Sequence, residues 1–372
     1  MKGPTIAVDA RYGLRRQRRG IGEYVYQVLS GLGPKPRPYQ LLLFGDQSLD
    51  PVVASQLGRW YPVVRLAAPN FFVWEQLLFP RAALRHRAQF LHGTANIGPL
   101  LSPAPLVLTI HDVIEWHRGR SFPAELPLRH RVSRLYRMNA LRVLAPRARL
   151  IFTVSQHSAR EIRETFHLDG RTIRVTPLAA KGSAGDAMGQ PAPGPYLLML
   201  GALDARKNLR GVLTALGLCQ QRDIRLEVVG LEERALGLAQ AWAHALGVSH
   251  RVRFRPMVDD GQLEALYRGA RAFLYPSFDE GFGLPVLEAM QYGCPVVASA
   301  RGALPEVAGE AALYVEPADP AQIAAAMDRL WQDPALRSDL AQRGRLRAAE
   351  FSWERTAELT HQGYLELCGG RA

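Results

Sequence analysis

At 372 residues the chain exceeds the size, about 250–300 residues, at which one hydrophobic core stops growing, so two domains are expected. A content of 48% apolar and 22% charged residues excludes a disordered or fibrous chain; no apolar run approaches the roughly 18 residues that span a bilayer, and the N-terminus lacks a secretory signal, so a cytoplasmic protein is expected. The net charge of +12 is lopsided: 26 Lys and Arg against 11 Asp and Glu give +15 for residues 1–180, and 20 against 23 give −3 for residues 181–372.

The predicted elements alternate from the start. In the first half, Thr5–Ala10 reads as a strand, Gly22–Leu32 as a helix, Gln40–Phe44 as a strand and Trp74–His86 as a helix. Strands follow at Pro105–Ile110 and at Arg149–Val154, the latter running into a helix capped by Ser155. The Gly- and Pro-rich segment 181–195 reads as a linker. After it come strands Tyr196–Leu200, Arg225–Val229, Val252–Phe254, Ala272–Tyr275 and Pro295–Ala298, interleaved with helices Leu209–Cys219, Leu236–Leu246, Gln262–Arg268 and Pro285–Tyr292. Strand and helix in turn predict an α/β protein of two doubly wound, Rossmann-like domains, residues 1–180 and 196–351, facing a cleft. A last helix at 352–372 is expected to cross back to the first domain.

The basic residues of the first half gather at Arg11, Arg15, Arg16, Arg18 and Arg19 and along Leu126–Arg149, where arginines alternate with Leu, Val, Tyr and Met. Such segments suit an anionic partner, here an anionic membrane surface or a phosphate-bearing lipid, or else form a plain solvated helix face. No recognised nucleic-acid motif accompanies them, so no nucleic acid is expected. Cys219, Cys294 and Cys368 are odd in number and far apart, which reads as free thiols.

The segment with the most chemistry is Tyr275-Pro-Ser-Phe-Asp-Glu-Gly-Phe-Gly-Leu-Pro285, in which a strand ends and a glycine turn leads into a helix. Gly281 and Gly283 let the backbone approach a ligand, Pro285 fits the first helical position, and the helix start offers amides and a positive dipole end to a phosphate. Glu280 precedes the helix and Glu288 lies within it, so the two carboxylates are free to hold different tasks. A carboxylate in Glu288's position suits the vicinal hydroxyls of a ribose, as in dinucleotide sites. Lysine is scarce, four against 42 arginines, so Lys207 in the Arg206-Lys207 pair suggests a need for a compact point charge.

The run Tyr275–Ser299 followed by Leu304-Pro-Glu-Val-Ala-Gly309 closely resembles the donor-site signature of family 4 glycosyltransferases, retaining enzymes of GT-B fold. Gly201-Ala-Leu-Asp-Ala-Arg-Lys-Asn-Leu209 resembles that family's second signature, and Phe351-Ser-Trp-Glu354 continues the likeness. In the first half the likeness rests on Asp9-Ala-Arg11, Gly20-Ile-Gly-Glu-Tyr24 and His111-Asp112. The resemblance implies catalytic roles for Arg206 and Lys207 at a donor diphosphate, for Glu280 at the sugar and for His111 at a sugar hydroxyl. It implies donor binding by Gly281, Phe282, Gly283 and Leu284, by Glu288 at the ribose, by Gly22 in the first loop and by main-chain groups near Met257 and Val258 at the base. His92 and Asn96 are further candidates to line the cleft. Ala202 stands where many members carry arginine, and Arg206 is expected to take over that contact.

No Asp-x-Asp motif appears, so no metal ion and no cofactor are expected. The resemblance implies hexose transfer, first GDP-mannose and next a UDP-hexose, from a nucleoside diphosphate sugar to a glycan or polyprenyl-diphosphate-linked acceptor in cell-surface polysaccharide synthesis. A sugar-nucleotide epimerase and a non-catalytic binder of an anionic partner are the alternatives.

Overall fold

The computed structural model describes residues 3–18, 20–116, 128–168, 173–182, 194–202 and 204–369. Arg19, the start of the basic Leu126–Arg149 stretch and residues 183–193 of the expected linker lie outside them. The chain divides into two compact units, one holding the described residues up to Trp116, from 128 to Leu178 and from Ser352 onward, the other those from Ala179 to Phe351.

The first unit is built on a seven-stranded parallel sheet. Its strands are β1 (Thr5–Asp9), β2 (Gln40–Gly45), β3 (Val63–Arg65), β4 (Phe90–Gly93), β5 (Leu106–Thr109), β6 (Leu150–Thr153) and β7 (Ile173–Val175), in the order β3-β2-β1-β4-β5-β6-β7. The central strands are buried on both faces, as helix-covered parallel strands must be, and β5 and β6 are apolar but for a closing threonine. Leu91, Leu108 and Ile151 meet Leu141, Leu144 and Ile162 from helices Leu128–Leu144 and Gln156–Phe166 in one core. Ser155 caps the second of these helices, its hydroxyl accepting from the Ser158 amide at 2.9 Å.

The second unit repeats the plan with β8 (Leu197–Leu200), β9 (Leu226–Val229), β10 (Val252–Arg255), β11 (Ala272–Tyr275), β12 (Val296–Ser299) and β13 (Ala312–Val315), all parallel, in the order β10-β9-β8-β11-β12-β13. In each sheet the order reverses beside its first strand, between β1 and β4 and between β8 and β11. Loops at the carboxyl ends of such strands part there and leave a crevice.

Two departures from expectation have local causes. The helix expected over Trp74–His86 is interrupted: Trp74–Leu78 is a π turn, in which the Phe79 amide reaches the Trp74 carbonyl, between helical segments Phe71–Val73 and Phe79–Arg85. Pro80 has no amide to give the next helical bond, and the ladder widens ahead of it. Strands β3, β4, β7 and β13 were not expected from the pattern: β3 and β7 are three residues each and include an arginine, and His92 and Gly93 break the apolar run of β4. The helix Trp353–Gly369 packs on the helix Ile21–Leu32 within the first unit.

Candidate active site

In the second unit, the loops after β8 and β11 flank the switch point, and these carry the candidate residues. Asp204 caps a short turn, Ala205–Lys207, accepting the Arg206 amide at 3.0 Å. Asn208 then takes a left-handed conformation, φ 60°, and donates to the Pro276 and Pro317 carbonyls at 3.1 and 2.7 Å. This cross-link ties the β8 loop to the β11 loop. The Phe278 amide on the Arg206 carbonyl, 2.8 Å, adds a second tie.

The ties bring Arg206 and Lys207 to Glu280. Lys207 Nζ donates to Glu280 Oε1 at 2.6 Å and to the Tyr275 hydroxyl, and lies 4.7 Å from the centre of the Tyr275 ring. Arg206 Nη1 lies 3.4 Å from Glu280 Oε2 and 3.3 Å from the Asp279 carbonyl, while its Nε holds Asp204 at 3.2 Å. Glu280 is buried, which alone would raise its pKa, but Lys207 and Arg206 outweigh burial and hold it below the usual carboxylate range. Burial would likewise lower the Lys207 ammonium, and Tyr275 and Glu280 reverse that and raise it.

The loop carrying Glu280 is pinned from outside. The Ala303 amide donates to the Glu280 carbonyl at 2.9 Å, and Gly302, φ 60°, lies so close that a Cβ would stand 2.6 Å from the Glu280 nitrogen. Gly283, φ 100°, caps the helix Leu284–Gln291 without a side-chain hydrogen bond. Pro285 occupies the second helical position rather than the first. In the first turn Pro285 has no amide and the Val286 amide goes to the Gly283 carbonyl at 2.9 Å, so the helix start offers an anion the Leu284 amide and the positive end of its dipole. The Phe282 ring is buried, 5.9 Å from that of Phe351.

One turn and more into this helix, Glu288 lines a cavity of about 250 Å³ together with Asp260, Leu263, Tyr267, Tyr292 and Lys181. Glu280 and Glu288 thus occupy separate environments. Val258 lies in the segment between β10 and the helix Asp260–Gly269, whose capping box is formed by Asp259 and Gln262.

In the first unit, His111 follows β5. Its amide donates to Asn96 Oδ1 at 2.6 Å, its Nε2 stands 3.1 Å from the Thr94 carbonyl, and its ring meets Tyr24 edge-on at 5.0 Å. A nitrogen facing a carbonyl must carry the proton, so Nδ1 is the acceptor. Burial lowers the His111 pKa to about 4, and the ring is neutral at pH 7. His92 departs from expectation: it lies within β4, fully buried, with Tyr364 Oη at 2.6 Å and Thr109 Oγ1 at 2.9 Å, and both ring nitrogens are engaged in the core. Asn96, part-exposed, holds the His111 amide through its Oδ1. Gly22 is demanded by packing, since a Cβ would meet the Tyr12 carbonyl at 2.8 Å.

Sequence reasoning missed a buried charge cluster after β1. Arg11 pairs with Asp9 at 2.6 Å, stacks 3.8 Å over Trp74 and stands 4.0 Å from Glu75 on the π turn. Burial raises the Glu75 pKa to about 7 against the pull of Tyr136 and Arg11. The Asp9-Ala-Arg11 motif was the available signal; Glu75 left none.

Two parallel doubly wound sheets, with a cationic pair and an uncapped helix at the switch point of the second, define a GT-B glycosyltransferase. The family description "Glycosyl transferases group 1" matches residues 187–347 and "Glycosyltransferase Family 4" matches residues 18–179. The O-antigen chain mannosyltransferase B of Escherichia coli is 31% identical over 93% of this chain and 95% of its own length. An MMP alpha-(1->4)-mannosyltransferase of Mycolicibacterium hassiacum is 35% identical over 56% of this chain and 52% of its own. A sucrose-phosphate synthase from Thermosynechococcus elongatus shares the fold, with a TM-score of 0.73 at 22% identity over 98% of this chain and 99% of that one. The chain belongs to glycosyltransferase family 4 and is an enzyme of that class.

Proposed function

We propose that this glycosyltransferase moves mannose from GDP-mannose, with retention of configuration, to a hydroxyl of a glycan or polyprenyl-diphosphate-linked acceptor in cell-surface polysaccharide synthesis. The observation that carries the reading is the Arg206, Lys207 and Glu280 cluster beside the uncapped helix at Gly283. As the glycosidic bond breaks, charge grows on the departing diphosphate, and Lys207, Arg206 and the Leu284 amide at the helix start would stabilise it. Arg206 would serve there in place of the arginine absent at Ala202. Glu280 fixes the two cations and faces the sugar, Glu288 accepts from the ribose hydroxyls, and Val258 meets the base through its main chain. His111 Nδ1 would accept from a sugar hydroxyl. Among the described residues no carboxylate is assigned as a covalent nucleophile, and in this reading the leaving phosphate takes the acceptor's proton. The names of the mannosyltransferase relatives support mannose as the sugar.

The reading is tested by incubating the protein with GDP-mannose or UDP-glucose and a lipid-linked glycan acceptor, measuring nucleotide release and product anomer. Retained mannosyl product from GDP-mannose is expected. Interconversion of the donor without acceptor would overturn it in favour of an epimerase, and product from UDP-glucose alone would replace the donor.

We also propose peripheral binding to an anionic membrane through the first unit. Phe72 meets Tyr136 of the helix Leu128–Leu144 at 5.5 Å, and around this contact Phe72, Leu101, Val132 and Leu135 are exposed beside Arg131 and Arg134. No helix among the described residues is long and apolar enough to cross a membrane. Co-sedimentation with phosphatidylglycerol vesicles, lost on Phe72→Ser/Leu135→Ser, is expected; equal binding to neutral vesicles would contradict it.

A further inference from the structure

The cavity beside Glu288 holds an ion pair that the donor chemistry so far leaves unused. Lys181 Nζ lies 2.5 Å from Asp260 Oδ2, and both residues line the cavity. Neither is placed by accident of a loose surface. The Lys181 carbonyl accepts from Gln291 Nε2 and Tyr292 Oη, each at 3.4 Å, and the Gly182 carbonyl accepts from Gln291 Nε2 at 2.6 Å. Gln291 and Tyr292 follow Glu288 on the same helical face, so the backbone of Lys181 is tethered to the element that carries the ribose carboxylate. Asp260 opens the helix Asp260–Gly269, whose start is fixed by the capping box.

The rest of the lining also points to a ligand. The rings of Tyr267 and Tyr292 stack at 6.0 Å with 21° between planes and give the cavity an aromatic side. Tyr267 is 1% exposed and its hydroxyl engages Glu288, which fixes that carboxylate on the cavity wall.

We infer that Lys181 and Asp260 read the nucleobase and select guanine. The Watson–Crick edge of guanine presents, in order, the O6 acceptor, the N1–H donor and the 2-amino donor. An ammonium beside a carboxylate presents one donor and then two acceptors, the complementary order, and the carboxylate takes N1–H and the 2-amino group together as a bidentate pair. Uracil presents acceptor, donor, acceptor, so its O2 would face a carboxylate oxygen. Adenine fails at the other end, bringing its 6-amino donor to the ammonium. One atom position, the 2-amino group of guanine, therefore decides between guanine and uracil.

The inference rests on the GDP-mannose reading of this site and adds to it the residues that read the base. Its test is calorimetric binding of GDP, IDP and UDP to the full chain and to Asp260→Asn. IDP differs from GDP only in lacking the 2-amino group. Wild-type protein is expected to bind GDP about tenfold or more tightly than IDP, the range of one bidentate base contact. In Asp260→Asn that ratio falls towards one, with UDP binding not weakened. Lys181→Met is expected to weaken GDP and IDP equally, because both keep O6. Equal binding of GDP and IDP by the wild type, or an unchanged ratio in Asp260→Asn, would overturn the assignment while leaving the donor site standing. Failure of all three nucleotides to bind would overturn the donor site itself, and the inference with it. Asp260 is exposed, so a melting curve like that of the wild type is expected of the variant.

Discussion

Lys207 Nζ and Glu280 Oε1 stand 2.6 Å apart in a buried site, although the residues are 73 positions apart in the chain. Each holds the other in its charged form. Lys207→Ala is therefore expected to lower turnover about 10²–10³-fold, as loss of one charge-stabilising donor does elsewhere. The variant should remain folded, with steady-state rates and circular dichroism as the readouts. Glu280→Ala is expected to lose most turnover too and also to melt earlier, because it leaves Arg206 and Lys207 facing each other without their anion. Wild-type rates in both variants would contradict the catalytic assignment.

Glu288 lies apart from that cluster, on the cavity side of its helix. Glu288→Ala is expected to weaken binding of a nucleoside diphosphate about tenfold, the worth of one charged hydrogen-bonding group. The wild type should also lose affinity for the 2′-deoxy nucleotide, and the variant should not distinguish the two. Equal discrimination in both proteins would remove Glu288 from the ribose.

Gly302 packs its α-carbon against the backbone of Glu280 in a left-handed conformation. Gly302→Ala both strains φ and drives a methyl group into the loop. A loss of about 1–3 kcal/mol in stability is expected, with turnover falling further than stability accounts for. Chemical denaturation beside steady-state kinetics separates the two effects.

His92 and His111 are buried neutral, with pKa values lowered by burial to about 3 and about 4. Unfolded, each takes a proton near pH 6.5, so acid favours the unfolded chain. The stability they contribute is fully present above pH 6.5 and is lost as pH falls from there, down to about 4 for His111 and about 3 for His92. The effect should reach a few kcal/mol, on the order set by these shifts. Urea midpoints at pH 7 and pH 5 should differ less in His92→Gln than in the wild type; an unchanged difference would exclude His92 as a source.

Much of this was legible in the sequence because it was local. The alternation of apolar runs with helical spacing marked most strands of both sheets, and the glycines, proline and glutamates at 280–288 marked the anion-binding turn. The contacts that hold Lys207 on Glu280 were not legible, since Asn208 reaches Pro276 and Pro317 only once β8 and β11 are neighbours. His92 misled for the same reason. A histidine near a strand end looks alike in sequence whether it faces a ligand or Tyr364, and its partner comes 272 positions later. Strands β3 and β7, three residues each, carry too few residues for a period to show, and His92 and Gly93 break the apolar run of β4.

The helix Trp353–Gly369 has a consequence for how the protein is made. The first unit is left at Leu178 and completed from Ser352 onward, and it needs Tyr364 to satisfy His92 and His361 to meet Tyr39. On the ribosome the second unit has its whole sequence available before the first has its last helix. The unit begun first is thus finished last, and a nascent chain stopped before Trp353 lacks the helix that packs on Ile21–Leu32 and leaves His92 with Thr109 as the partner of one ring nitrogen alone.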